Sequence, residues 1–165
     1  MANPGRRKSV PPQTIPDKSQ KRVPDTPSYE AATKYETSRF RFSSEHIDLA
    51  VGPDHGCEWA WGPELSIWKD VLHYLADFSA KTWAEIEAER TGGRNRHRKH
   101  HSMDIVKLPS MAQARLLAHM GDDAPDSLFR FRLSGKGRLW GIRDGAIFHV
   151  LWYDPLHRVY PTDPN

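Results

Sequence analysis

The chain is poor in several things at once, and each shortage removes a class of protein. It has one cysteine, Cys57, which excludes an internal disulfide and a thiolate zinc site and fits a reducing compartment. Placed near Trp59 and Trp61, that cysteine reads as a small buried hydrophobe rather than a nucleophile. No apolar run approaches the roughly twenty residues a membrane span needs. The N-terminus is positively charged but has no apolar segment behind it, unlike a secretory signal. A cytoplasmic location is therefore expected. Aromatics are almost missing from the first 35 residues, which instead carry Pro4, Pro11, Pro12, Pro16, Pro24 and Pro27. A segment of that composition cannot bury enough apolar surface to offset its ordering entropy. Residues 1–37 are accordingly expected to be a disordered basic tail, and 38–165 a single domain.

Acidic residues are also scarce, but only locally. The formal charge of +3 conceals a separation: residues 58–90 hold seven acids and three Lys/Arg, whereas residues 128–160 hold two acids and six. An acidic half and a basic half make one polyanion-facing surface. A sheet face balanced only for solubility would intersperse glutamates.

The basic half reads as β structure. Residues 128–133, 138–143 and 146–153 are short β-rich runs, separated by Ser134-Gly135-Lys136-Gly137 and by Asp144-Gly145. Turns this short join antiparallel strands, and Asp-Gly suits a type I′ hairpin. Alternation sends Phe129, Phe131 and Leu133 to one face and Arg130 and Arg132 to the other. The arginine face should be solvent-facing, since unpaired buried guanidinium is costly. The near-continuous apolar run of 146–153 suggests a central strand, with His149 a satisfied core histidine and Trp152 and Tyr153 in the core.

Upstream, strands are expected at 39–43 and 46–51, with a further short one at 58–61. Ile67, Val71, Leu72, Leu75 and Phe78 then set a helical period, with Pro63 near the first turn. Ser79 is expected to cap a second helix over 82–90, ended by Gly92-Gly93, so the two form a helical hairpin. Residues 94–101 form a basic loop whose His97, His100 and His101 admit a metal site, docking on RNA, or plain solvation. Ser110 opens a third helix closed by Gly121. The expected architecture is α+β: a helical hairpin packed on one face of a C-terminal antiparallel β-meander.

The tail after the meander, Asp154-Pro155-Leu156-His157-Arg158-Val159-Tyr160, places a carboxylate, an imidazole, a guanidinium and a phenol within seven residues. Arg130, Arg132, Lys136 and Arg138 should line one shallow surface, with His157, Arg158 and Tyr160 at its rim.

Element order and these residues resemble the RelE/ParE toxin superfamily of bacterial toxin–antitoxin pairs. The resemblance rests on Phe129-Arg-Phe-Arg-Leu133, Gly135-Lys-Gly-Arg138, Arg143-Asp-Gly145, 147–151 and His157-Arg-Val-Tyr160. The stretch 92–108 stands as an insertion relative to the minimal family members, and the N-terminal extension is additional. The resemblance implies an endoribonuclease (mRNA interferase) that uses the ribose 2′-OH as nucleophile without a metal or other cofactor. It implies partners in RNA or the ribosome and a cognate antitoxin. Arg138 and Arg132 would then hold the phosphate, His157 would act as acid or base, and Tyr160 would transfer a proton or stack on a base. Arg130, Lys136 and Arg158 would position the RNA backbone, joined by the loop residues Arg94, Arg96, Arg98 and Lys99. Two other classes fit the same text. One is a non-catalytic interaction protein (a topoisomerase inhibitor or an RNA-binding module of this fold), and the other a mobile-element regulator that binds nucleic acid through its basic tail.

Overall fold

A computed structural model describes residues 35–50, 52, 57, 59–61, 65–92, 94 and 96–161. The expected disordered tail falls almost wholly outside the described residues, as does Pro63. Structure is already in place at Tyr35, whose ring lies against Gly145.

The C-terminal runs form the expected meander: β3 (Ser127–Arg132), β4 (Arg138–Asp144) and β5 (Ile147–Asp154). Two more strands extend it. β1 (Arg41–Ser43) pairs parallel to β5, and β2 (His101–Asp104) pairs antiparallel to β3. The sheet is thus mixed and five-stranded, in the order β1-β5-β4-β3-β2. The end of the expected basic loop is therefore an edge strand. The runs 46–50 and 59–61 form no strand. In the first, Asp48 N–H donates to Leu151 O, but no continuous ladder follows.

Helices cover both sheet faces, where the sequence pattern suggested one. α1 (Leu65–Ser79) buries Val71, Leu75 and Phe78 at helical spacing, while Leu72 stays exposed. α2 (Trp83–Ala88) buries Trp83 and Ile86. Its cap is Thr82, not Ser79: Thr82 and Glu85 form a reciprocal capping box. Ser79 instead bonds back to Leu75 O inside α1. These helices close one core, in which Phe40 sits among the rings of Phe78, Trp83, Phe131 and Phe148. α3 (Ser110–Met120) covers the other face with Cys57 and Trp59, over Leu128, Trp140, Leu151 and Trp152. Cys57 is buried as expected.

The second core gains Trp152 because strict alternation fails in β5. A bulge opposite Trp140 and Gly141 leaves Leu151 without a register partner, and Leu151 and Trp152 both join the second core. Tyr153 returns to the first face, where it is half-buried. Gly141 permits this: a Cβ there would lie 2.2 Å from His149 O and 2.5 Å from the Phe148 ring. The arginine-bearing face is therefore half core and half open.

Asp48 secures the covered half. It is buried, accepts from Arg115 Nε at 2.7 Å and from Trp152 Nε1 at 3.0 Å, and so ties the 44–50 loop to α3 and β5. Burial works to raise its pKa, but the bonds from Arg115 and Trp152 outweigh this and hold it below its ordinary value. Removing one partner of a buried pair typically costs about 3–5 kcal/mol, because the other is left uncompensated. Asp48→Ala is expected to lose about that much stability, read as a lower urea midpoint at unchanged denaturant slope.

Candidate nucleic-acid interface

The open half of the second sheet face is a cleft of about 500 Å³, lined by Thr91, His97, Arg98, Lys99, His101, Arg130, Arg132, Arg138 and His157. Among the described residues no carboxylate lines it. The sheet register builds its floor: His101 lies opposite Arg130, and Arg132 opposite Arg138. Like charges directly across strands repel, so this pairing costs stability rather than adding it.

Arg130 is the centre of the cleft. Its two terminal nitrogens donate to two imidazoles, one to His101 Nε2 at 2.8 Å and the other to His157 Nε2 at 3.2 Å. A guanidinium only donates, so both Nε2 atoms are unprotonated here. His101 Nδ1 donates to Ser102 O at 3.0 Å, which fixes its tautomer. The Arg130 side chain lies over the Trp140 ring, 5.8 Å from the centroid. Its Nε is buried without a partner among the described residues.

Arg138 is 6% exposed. One of its nitrogens donates to Gly137 O at 2.8 Å and Gly135 O at 3.2 Å, gripping the β3–β4 turn. Its Nε, too, is buried and unpartnered among the described residues. Arg115 and Arg143 have Asp48 and Glu87 as ion-pair partners, whereas Arg130, Arg132 and Arg138 have none among the described residues.

Burial first, and the crowded cations with it, lower the pKa of four groups in the cleft. Burial, then Arg130 and Arg132, brings Arg138 down to about 10. Burial and Arg132 lower Arg130. Burial, with Arg138, Arg130 and Arg132 adding to it, brings His157 down to about 4. Burial, Arg130 and Arg98 also lower His101, against the bond to Ser102 O. Both imidazoles are thus neutral proton acceptors near neutrality.

The tail delivers His157 by a tight reversal. Asp154 accepts Arg158 N–H at 2.7 Å and Val159 N–H at 3.0 Å, and His157 takes φ +63°. That left-handed conformation is uncommon away from glycine. Val159 is buried in the second core, and Tyr160 packs half-buried against it.

The cleft brings together six of the expected residues: Arg130, Arg132, Arg138, His157, Arg98 and Lys99. Tyr160, Lys136, Arg158, Arg94 and Arg96 do not line it. Lys136 is exposed in the β3–β4 turn, and Arg94 and Arg96 are exposed before β2. Sequence reasoning treated His101 as one of three loop histidines and missed its role beside Arg130. The period of two in His101-Ser102-Met103-Asp104, with alternating burial, was the available signal.

His100, also read as a loop residue, is buried. Its Nε2–H donates to Glu89 Oε2 at 3.2 Å, while its Nδ1 accepts Arg132 N–H at 3.2 Å and so supports the end of β3. Burial lowers His100 to about 4, although the contact with Glu89 works the other way. Burial would raise Glu89, but bonds from Lys81, Lys99 and His100 hold it at about 2.

Both groups bind protons more tightly in the unfolded chain, so both make stability rise with pH. The His100 contribution is complete above pH 6.5 and is lost toward pH 4, with His157 acting in the same window. The Glu89 contribution is complete above pH 4.5 and is lost toward pH 2. Urea midpoints measured across this range should fall in two stages on acidification, and Glu89→Gln should flatten the lower one. A second expectation concerns the cleft itself. In ¹⁵N-detected NMR, His157 should remain neutral with its proton on Nδ1 down to about pH 4, and inorganic phosphate should raise that midpoint.

No protein-family model, characterised protein or solved structure matches the chain.

Proposed function

We propose that the chain is an endoribonuclease of the toxin type, cleaving RNA by attack of a ribose 2′-OH on the adjacent phosphodiester. The observation that carries this reading is the pair of neutral imidazoles flanking Arg130 in a cleft without carboxylates. RNA self-cleavage needs three things from a protein: a proton acceptor for the 2′-OH, donors for the charge building on phosphorus, and a proton donor for the 5′ oxygen.

Without RNA, Arg130 spends its donors on the Nε2 atoms of His101 and His157. A phosphate is the stronger acceptor. As Arg130, Arg132 and Arg138 turn to it, both Nε2 atoms are released. His157 takes the 2′-OH proton while the 2′ oxygen bonds to phosphorus. The bond to the 5′ oxygen then breaks, leaving a 2′,3′-cyclic phosphate. The phosphate's negative charge raises the affinity of the neighbouring imidazole for a proton, so His101 is protonated in the complex and gives that proton to the departing 5′ oxygen. Arg138, held against the turn by Gly135 O and Gly137 O, keeps its guanidinium charge fixed beside the reacting phosphate. Tyr160, packed against the second core, is not needed for either transfer.

The resemblance to RelE/ParE toxins supports the same reading and adds the ribosome and a cognate antitoxin as expected partners, with a cytoplasmic site of action. Among the described residues no helix is long and apolar enough to cross a membrane. The non-catalytic alternative, an RNA-binding or topoisomerase-inhibiting module, uses the same cleft for a phosphate backbone and omits the proton transfers.

The test pairs a labelled RNA with its 2′-O-methyl counterpart, offered to the purified chain with and without ribosomes. Cleavage of the first alone, leaving cyclic or 3′-phosphate ends, is expected. His157→Ala and His101→Ala should each slow it about 10²–10⁴-fold, and Arg130→Ala should weaken both binding and cleavage. Binding to both RNAs without cleavage would establish the module instead, and no binding to either would remove RNA as the target.

A further inference from the structure

At the opposite end of the same sheet face stands a second cluster, independent of the cleft. Glu45, His46 and His149 bring one carboxylate oxygen and two imidazole nitrogens within 4.8 Å of one another. The His46 and His149 rings lie 5.0 Å apart, centroid to centroid. His149 Nδ1 is buried and has no hydrogen-bond partner among the described residues. Glu45 Oε2 is 4.0 Å from it, beyond hydrogen-bond reach. A buried, unpartnered ring nitrogen faces a carboxylate with a second imidazole beside it, and a small rotation of the exposed Glu45 side chain and of His46 would bring the three donors to the roughly 3.4 Å separation of a tetrahedral set at 2.0–2.2 Å.

The backbone holds this arrangement ready. Ser43 lies opposite His149 in the β1–β5 register, and its Oγ accepts Glu45 N–H at 3.1 Å, turning the chain back over β5. His119 Nε2 donates to His46 O at 3.1 Å, and Asp48 N–H to Leu151 O at 3.1 Å. The 44–48 loop is thus pinned on both sides of His46. Glu45, whose side chain is 69% exposed, is free to rotate the short distance that remains.

We propose that Glu45, His46 and His149 form a zinc site of three protein ligands, with water completing the tetrahedron. Zinc takes imidazole nitrogen and carboxylate oxygen at about 2.0–2.2 Å in a tetrahedral set. Two imidazoles and one carboxylate select it over magnesium or calcium, which favour oxygen alone. The five residue steps of β5 from His149 to Asp154, which stands opposite the cleft residue Arg138, span about 16 Å at the usual strand rise. The ion does not reach the proposed chemistry; it fastens the 44–48 loop to β5.

The full-length chain, stripped with chelator and dialysed, is titrated with Co²⁺ and then Zn²⁺, following visible absorption and the melting temperature. One equivalent of Co²⁺ should give tetrahedral-type bands that Zn²⁺ removes, with a melting point several degrees higher. His46→Ala and His149→Ala should abolish both signals, and Glu45→Gln should weaken binding at least tenfold. Glu45 and His46 lie on a loop outside both cores, so circular dichroism should show those two variants folded even if His149→Ala is not. A His97→Ala/His101→Ala double variant should bind normally. Absence of binding, a requirement for millimolar ion, or binding lost in the double variant and kept in His46→Ala would each overturn the assignment.

Discussion

The carboxylate of Asp154 is fully buried at the end of β5, directly across from Arg138 in the sheet register. It accepts two successive backbone N–H groups of the tail. Burial raises its pKa while those bonds oppose the rise. The cleft depends on this one group in two ways. It folds the tail back, so that Val159 anchors in the second core and His157 arrives at Arg130. It is also a negative charge that works on Arg138 and Arg130 electrostatically, opposing the fall in their pKa.

Seen from the fold, the cleft is an unfavourable place. Two arginines face each other across β3 and β4, two guanidinium Nε atoms are buried without partners among the described residues, and His157 holds a left-handed backbone. Each feature costs free energy that the aromatic core on the other face and the Asp48 network must offset. Several local rules are broken together at this spot, as is common where a surface serves function rather than stability. The sign of the charge and the paired donors of guanidinium are the features on which the proposed phosphate contact rests.

Much of this was legible in the residues. The three strands, their tight turns, the amphipathic α1 and the α3 boundaries follow from period and turn chemistry. The grouping of Arg130, Arg132, Arg138 and His157 follows from alternation and a short tail. What escaped did so for physical reasons. The β5 bulge shifts Trp152 to the face of Leu151, and no local pattern announces a bulge in a run that is apolar on both faces. That shift enlarges the second core on a face that the sequence pattern read as wholly open. His100 and His101 sit in a segment whose charge reads as loop, yet a buried histidine is tolerated when Glu89 and Arg132 N–H take its two nitrogens. Tyr160 looked available beside His157, but the tail's reversal turns it toward the core. The pairing of β1 with β5 joins residues about a hundred positions apart, and contacts of that range leave no trace in local periodicity.

The sheet ends in short strands on both sides, three residues in β1 and four in β2. An incoming strand from another chain would find only a few backbone rungs to complete on either edge. Growth of the sheet by strand addition is therefore a poor route to association, whether with a second copy or with a regulatory partner. A protein that silences the cleft gains more from carrying carboxylates into it, and its affinity would then fall steeply as salt rises.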